Sequence, residues 1–271
     1  QLKSGLGFAD LEEAIILAIF GLLVAYIATS LTIGRDVVIV EKPTDYPPKG
    51  ITPIQAGVII DGTLNERDVI SVFYYMAGKG YMKINEYRPH EFEFIFRKYP
   101  AEEPGYIRAL FKAIFNNSSA TVVPLADREG ESGCAGRIIS EIPKIKLAVN
   151  KSITRKKNRE IADITGLLMG FKTSLSNGSN KPIEEILVES PDYFFEILPY
   201  AYAMSVSAKL PKKFSGKTDI KVPEFFSPYG TSEGDAVDVV LYNAILRNLP
   251  EQLIKEVFSH TAGMFAKPFT N

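Results

Sequence analysis

The sequence contains one cysteine, two histidines and no tryptophan among its 271 residues. The single cysteine, Cys134, excludes an internal disulfide framework. Neither His90 nor His260 has a Cys or carboxylate partner at metal-ligand spacing, so we expect no metal site. The net charge of −1 lacks the positive surplus of a general nucleic-acid binder, and we expect no nucleic-acid partner. The composition, with 46% hydrophobic residues, is that of a folded protein.

One long apolar run is present, AIILAIFGLLVAYIATSLTI at 14–33, and it has no charged side chain. As a helix, the run would be about 30 Å long, the thickness of a bilayer's hydrocarbon core. Acidic residues precede it and no small-residue cleavage site follows, which argues against a secretory signal peptide. A buried core helix is seldom so long. The run therefore predicts a transmembrane helix.

Basic residues near this run predict its orientation, because cytoplasmic flanks carry more Lys and Arg. Lys3 is the only one before the run, whereas Arg35, Lys42 and Lys49 follow it. We therefore expect a single-pass protein of the cell membrane, with the bulk of the chain in the cytoplasm.

The fold class predicted is α+β and mainly helical, with one transmembrane helix, a winged-helix-like domain with a β-hairpin, and a C-terminal helical domain. The expected segments are an extracytoplasmic flank at 1–13, the transmembrane helix at 14–33, a proline-rich juxtamembrane linker at 34–50, the winged-helix-like domain at 51–126, a loop and basic segment at 127–160, and the helical domain at 161–271.

The winged-helix-like domain is predicted from a helix–helix–hairpin order. A short helix at 54–60 ends at Asp61-Gly62, and Asn65 is the expected N-cap of a second helix with Asp68 at its third position. Alternating residues then predict strands at 81–87 and 91–97, followed by a helix at 106–115 and a strand at 121–125. The second helix is poorly basic, so a partner-binding or structural role is favoured over DNA binding.

A basic run follows a helix that we expect at 138–149, interrupted by Pro143. Attraction to anionic lipid headgroups is one interpretation of this run, and solvated charge in a tail or linker is the other. The residues proposed to contact a membrane surface are Lys151, Arg155, Lys156, Lys157 and Arg159.

The second half of the sequence is predicted to be helical. Ser190-Pro191-Asp192 is a helix start signal, and Pro199 predicts a kink or two helices meeting near Leu198. Two more helices are expected at 235–249 and 250–265. The segment LPYAYAMSV is a candidate interaction surface, through Leu198, Pro199, Tyr200 and Tyr202. If these tyrosines are buried, they pack in the core instead, and this alternative is favoured by their apolar neighbours.

No catalytic residue or cofactor site is predicted. Ser132 and Cys134 lie in the glycine-rich segment GESGCAG, but no base or oxyanion site accompanies them, so a flexible loop is the better interpretation. A group of acidic residues resembles a set of metal ligands: Asp61, Glu66 and Asp68. Roles in a turn and in helix capping explain these residues better.

Two stretches of the sequence resemble a known family. The first consists of GRD (34–36), PPKGITPIQAGVIIDG (47–62) and ERDVISVFYYMAGKGYMKINE (66–86). The second consists of GFKTSL (170–175) and ESPDYFFEILPYAYAMSVSAKLPKKF (189–214). Their order is similar to the cytoplasmic region of the predicted membrane proteins in domain of unknown function family 2207. The resemblance implies bacterial membrane proteins with an exported domain, a span and cytoplasmic helical modules, and it supplies no catalytic residues.

The expected function is that of a membrane-anchored protein whose cytoplasmic part is a non-enzymatic interaction or scaffold module with an unknown protein partner. One alternative is a membrane-associated, hydrolase-type enzyme that uses Ser132, Cys134 or an acid pair. Another is a membrane-tethered DNA-binding regulator acting through residues 51–130.

Overall fold

The structure is a computed structural model that describes residues 18–23, 38–116, 121–126, 133–215, 220–232 and 244–260. The chain divides into two compact units, Gln1–Val38 and Ile39–Asn271. In the first unit the described residues are a helical segment at 18–23 and Val38, and all of them are exposed. The remaining paragraphs concern the second unit.

The predicted transmembrane helix at 14–33 is wrong. Within the residues that the structure describes, no helix is both long enough and apolar enough to cross a bilayer. Apart from 18–23, the run lies outside the described residues. The single-pass location in the cell membrane, with the bulk of the chain cytoplasmic, depended on this helix and is corrected with it.

The described residues of the second unit form an α+β fold that is mainly helical, and this part of the predicted fold class is confirmed. Their α-helices are α1 (Pro53–Asp61), α2 (Glu66–Gly78), α3 (Gly105–Phe115), α4 (Cys134–Thr154), α5 (Asn158–Asn177), α6 (Ile183–Glu189), α7 (Tyr193–Ala203), α8 (Leu210–Lys213) and α9 (Leu249–Glu256). Their strands are β1 (Met82–Arg88), β2 (Glu91–Phe96), β3 (Val122–Pro124) and β4 (Phe226–Ser227).

Helices α1 and α2 both begin at capping boxes, in which the N-cap and N3 residues hydrogen-bond reciprocally. Thr52 and Gln55 form the box of α1, and Asn65 and Asp68 form that of α2. Gly62 ends α1 at a φ of 76°, a left-handed conformation that glycine adopts without a steric penalty. The predictions of Asn65 as N-cap and of a turn at Gly62 are confirmed.

The sheet has the strand order β3-β2-β1-β4. β1 and β2 form the predicted antiparallel hairpin, and β3 pairs antiparallel with β2. β4 comes from the second half of the chain and pairs parallel with β1, through Ile84 opposite Phe226. Phe92 and Phe94 alternate inward on β2 and are buried.

Helix α4 is longer than the sequence suggested. It begins at Cys134, inside the segment that we expected to be a loop, and continues through Pro143. A proline inside a helix costs about 3 kcal/mol. Here α4 packs on α3 through a buried stripe that includes Ile138, Ile142 and Val149, and this packing outweighs the cost.

Helix α7 also continues through a proline, Pro199, where a kink or two helices were expected. Of the two helices expected at 235–249 and 250–265, the described part consists of a π-helical turn at Ala244–Asn248 and α9. The remainder of both lies outside the described residues.

Helix α2 lies at the centre of the second unit, and α7 packs along it. The buried residues of α2 run from Asp68 through Tyr74 and include Met76 and Ala77. Only Glu66, Arg67 and Gly78 are exposed on this helix. A recognition helix must present a free face to the major groove. The covering by α7 therefore argues against the DNA-binding alternative.

Candidate functional site

A segment that includes most of the predicted linker at 34–50 is anchored on the helical part of the unit. We call residues 40–52 the strap. The Asp45 carboxylate is buried and accepts hydrogen bonds from Ser174 Oγ at 2.5 Å and from the main-chain N–H groups of Asn180 at 2.8 Å and Lys181 at 3.2 Å. Burial alone would raise the pKa of Asp45, but these bonds outweigh it and lower the pKa. The ionised carboxylate thus fixes the middle of the strap.

Two glycines of α5 allow the strap to lie directly on the helix. A Cβ atom at Gly166 would lie 2.1 Å from the carbonyl oxygen of Val40, and one at Gly170 would lie 1.9 Å from that of Lys42. The Lys42 N–H donates to the carbonyl oxygen of Gly166 at 3.0 Å. No side chain larger than hydrogen fits between the two backbones here.

The strap is also fixed to α7. The Tyr193 hydroxyl donates to the carbonyl oxygen of Asp45 at 2.5 Å, and the Tyr200 hydroxyl donates to that of Ile51 at 2.8 Å. The rings of Tyr46 and Tyr193 pack edge to face, with centroids 5.4 Å apart. Since both hydroxyls are committed to the backbone, the strap is held in register along α7.

A cleft of about 640 Å³ lies between the strap, the end of α2, the loop before α3, and α7. This volume is within the range of small-ligand sites. Its apolar lining consists of proline, isoleucine and aromatic side chains: Pro47, Pro48, Ile51, Tyr74, Tyr75, Pro104, Phe195, Pro199, Tyr200 and Phe225. Its charged lining consists of Lys49, Lys79, Glu103, Asp192 and Glu196.

Glu103 is the half-buried acid of this cleft. Its carboxylate accepts hydrogen bonds from the Tyr75 hydroxyl at 3.1 and 3.2 Å and from the Tyr81 hydroxyl at 2.8 Å. Nearby, the hydroxyls of Tyr106 and Thr52 lie 3.1 Å apart. The fold brings these groups together from α2, the turn between α2 and β1, the loop before α3, α3 itself and the strap.

The tyrosine pKa values reflect burial and the charge of Glu103. Burial is the larger cause and Glu103 adds to it, so the pKa of Tyr81 is raised to about 12 and that of Tyr75 is raised further. Burial and Glu103 also raise the pKa of Tyr106 to about 12 and raise that of Tyr200. These four phenols therefore stay protonated at neutral pH and act as hydrogen-bond donors.

The four residues predicted as an interaction surface are all buried: Leu198, Pro199, Tyr200 and Tyr202. Tyr202 packs against Tyr74, with ring centroids 5.6 Å apart, and serves the core. Pro199 and Tyr200 line the cleft. A role in interaction stays a prediction, and a partner would reach this segment through the cleft.

The five basic residues predicted to bind a membrane surface lie at the corner between α4 and α5: Lys151, Arg155, Lys156, Lys157 and Arg159. Lys156 forms an ion pair with Glu160. The other four are exposed, and their attraction to anionic headgroups stays a prediction.

Of the residues considered for the hydrolase alternative, the structure does not bring Cys134 and His90 together, whereas the acidic residues Glu103, Asp192 and Glu196 share the cleft and the alternative stays untested. Ser132 lies outside the described residues. Cys134 is buried at the start of α4, and His90 is exposed in the hairpin turn, where its main-chain N–H, not its ring, donates to Glu86. Neither lines the cleft. Among the same described residues, no three His, Cys, Asp or Glu side chains are grouped to hold a metal.

Glu103, Tyr75 and Tyr81 were not singled out from the sequence. They lie in α2, in the turn after it and in the loop before α3, and no motif joins them. One signal was available: Tyr75 lies off the apolar stripe of α2 formed by Val69, Val72, Phe73, Met76 and Ala77. A tyrosine beside the core stripe is placed to direct its hydroxyl to a partner outside the core.

Comparison with known proteins adds no relative: no family model, curated protein or solved structure matches the chain. The resemblance to domain of unknown function family 2207 therefore stays a prediction. The function has to be argued from the geometry of the cleft.

Proposed function

We propose that the second unit is a non-enzymatic binding module whose cleft takes an extended segment of a partner protein. The observation that carries the proposal is the cleft's lining, in which prolines and aromatic rings form the walls and a few charged groups stand among them. Aromatic-lined grooves of this kind hold extended, proline-containing peptides, whose chain conformation is already restricted before binding.

The rigidity of the walls supports this role. The strap wall is fixed by the Asp45 carboxylate and by the hydroxyls of Tyr193 and Tyr200. The α7 wall is held by its packing on α2. A groove that is formed before binding loses less entropy when it takes a ligand.

The test uses a variant that fills the cleft. Gly78 lines the cleft at the end of α2, and a Cβ atom there would meet nothing nearer than the carbonyl oxygen of Phe195 at 4.0 Å. Gly78→Leu therefore adds an apolar side chain to the lining of the cleft at a position where its Cβ atom has room. Gly105→Leu is the matched control, since Gly105 is also helical, does not line the cleft, and has only Arg108 Nη2 at 4.0 Å.

The full chain and both variants are applied to an array of octapeptides that vary in proline, aromatic and charged content. We expect a set of proline-containing peptides to bind the parent chain and Gly105→Leu, and to lose about tenfold or more in affinity for Gly78→Leu. Absence of any bound peptide, or equal binding to Gly78→Leu, would overturn the proposal.

A further inference from the structure

We infer that Glu103 and Tyr75, which both line the cleft, form a pocket for a cationic side chain, a lysine or arginine of the bound segment, with Tyr81 as a second hydrogen-bond donor to Glu103. This inference rests on the proposed function and names the specificity of the same site.

The first argument is an uncompensated charge. Glu103 forms no ion pair with any Lys or Arg among the described residues. Its partners are two neutral phenols that donate to it. An ionised carboxylate offers about four acceptor positions, so two donors leave room for more. A half-buried carboxylate of this kind gains most from a cationic donor.

The second argument is the surrounding aromatic surface. Lys79 Nζ lies 5.7 Å from the ring centroid of Tyr75, and Lys98 Nζ lies 5.6 Å from that of Tyr81. Both distances are within the range of a cation–π contact. Both rings that donate to Glu103 thus present a face to an ammonium group, and at Tyr75 the resident group is Lys79, which lines the cleft.

The third argument is the charge of the lining. Three carboxylates, Glu103, Asp192 and Glu196, face two ammonium groups, Lys49 and Lys79. An excess of negative charge in a cleft attracts cationic ligands and repels anionic ones. With no metal-holding group of side chains among the described residues, an organic cation is the better match for this site.

The experiment compares a charged probe with its neutral isostere on the full chain. Nα-acetyl-arginine amide and Nα-acetyl-citrulline amide are titrated while the resonances of ¹³C-labelled tyrosine are followed by NMR. We expect the arginine probe to shift tyrosine resonances in a saturable way. We expect the affinity of the citrulline probe to be at least about tenfold lower.

Three variants locate the site. Glu103→Gln should lower the affinity for the arginine probe about tenfold, because it removes the negative charge. It should leave the affinity for the citrulline probe unchanged, because the amide oxygen still accepts hydrogen bonds from the tyrosines. Glu102→Gln, an exposed neighbour that does not line the cleft, should change neither. Lys79→Gln should raise the affinity for the arginine probe, since it removes the ammonium group that lies over the Tyr75 ring.

Equal affinity for both probes, or no loss in Glu103→Gln, would overturn this pocket. If the peptide array yields cleft-dependent peptides that contain no Lys or Arg, the pocket fails while the binding module stands. If the arginine probe binds at Glu103 but no peptide does, the pocket stands and the peptide-binding function fails.

Discussion

Asp68 combines a helix-capping role with complete burial. One carboxylate oxygen accepts from the Asn65 N–H at 2.8 Å, as the capping box requires. The other, Oδ1, is buried without a hydrogen-bond partner among the described residues. It faces Gly57 of α1, where a Cβ atom would lie only 1.7 Å from it. Burial raises the pKa of Asp68 to about 8, so the folded state keeps its proton at neutral pH.

Asp68 should therefore make stability depend on pH. Its folded-state pKa lies above the ordinary value of 3.8, so the unfolded chain loses the proton first as pH rises. The free energy of unfolding should fall by up to about 1.4 kcal/mol per pH unit between the two values, and the loss is complete above the folded pKa. Asp68→Asn removes this dependence. Urea unfolding of both proteins at pH 5, 6.5 and 8 measures it.

The expected result is that Asp68→Asn becomes more stable relative to the parent chain at each higher pH. The comparison between the two chains cancels the titration of all other groups. A stability difference that stays constant from pH 5 to pH 8 would show that Asp68 is ionised in the folded protein.

The capping role of Asp68 was predictable, because it depends on a three-residue spacing from Asn65. Its burial was not, since Oδ1 lies against Gly57 on α1, a helix that precedes the capping box. The same holds for Glu103, whose two hydroxyl donors are Tyr75 on α2 and Tyr81, which follows that helix. Local spacing predicts local hydrogen bonds, and it does not predict which distant element closes over them.

At the scale of the element, α5 depends on its glycines for the seating of the strap. Gly166→Ala or Gly170→Ala gains up to about 1 kcal/mol in helix propensity. It also places a Cβ atom about 2 Å from a carbonyl oxygen of the strap. The backbone of the strap must move to relieve this clash. We expect the strap to lift off and the free energy of unfolding to fall by about 1–3 kcal/mol.

Hydrogen exchange at the Lys42 amide reports this directly, because that amide donates to Gly166 in the seated strap. Exchange should accelerate in both variants. Gly105→Ala is the control: its Cβ atom meets only a flexible arginine tip at 4.0 Å, so Lys42 exchange should stay unchanged. Slow exchange of the Lys42 amide in Gly166→Ala would contradict the direct packing of the strap on α5.

Helix positions were more predictable than helix lengths. α1, α2 and α3 agree with their capping and periodicity signals to within one or two residues. α4 and α7 do not, because Pro143 and Pro199 were expected to interrupt them. Each proline lies in a helix whose buried face packs on another helix, and burial of apolar side chains at about 1.5–3 kcal/mol each exceeds the local penalty.

At the scale of the whole second unit, residues from both halves of the sequence share one core. α7 covers α2, β4 extends the sheet at β1, and the Tyr74 hydroxyl donates to the carbonyl oxygen of Ile245. The independence of the predicted segment 51–126 as a domain stays a prediction, and these contacts argue against it. Such pairing of distant segments has no signature in local periodicity.

We predict that a fragment comprising residues 51–126 does not fold alone. Without the second half, the face of α2 that packs on α7 is exposed to water, with Tyr74 among its side chains. The fragment should show poorly dispersed amide resonances and no cooperative thermal transition. Adding a fragment of residues 133–260 should restore dispersion. A well-dispersed spectrum of 51–126 by itself would establish an autonomous domain.

The tyrosines around Glu103 also give the protein an optical property. With no tryptophan in the chain, its ultraviolet emission comes from tyrosine. Phenols that donate to a carboxylate emit weakly, and Tyr75 and Tyr81 both donate to Glu103. An occupant that draws Glu103 toward itself would relieve this quenching. The intrinsic fluorescence of the unlabelled chain should therefore brighten as the cleft fills.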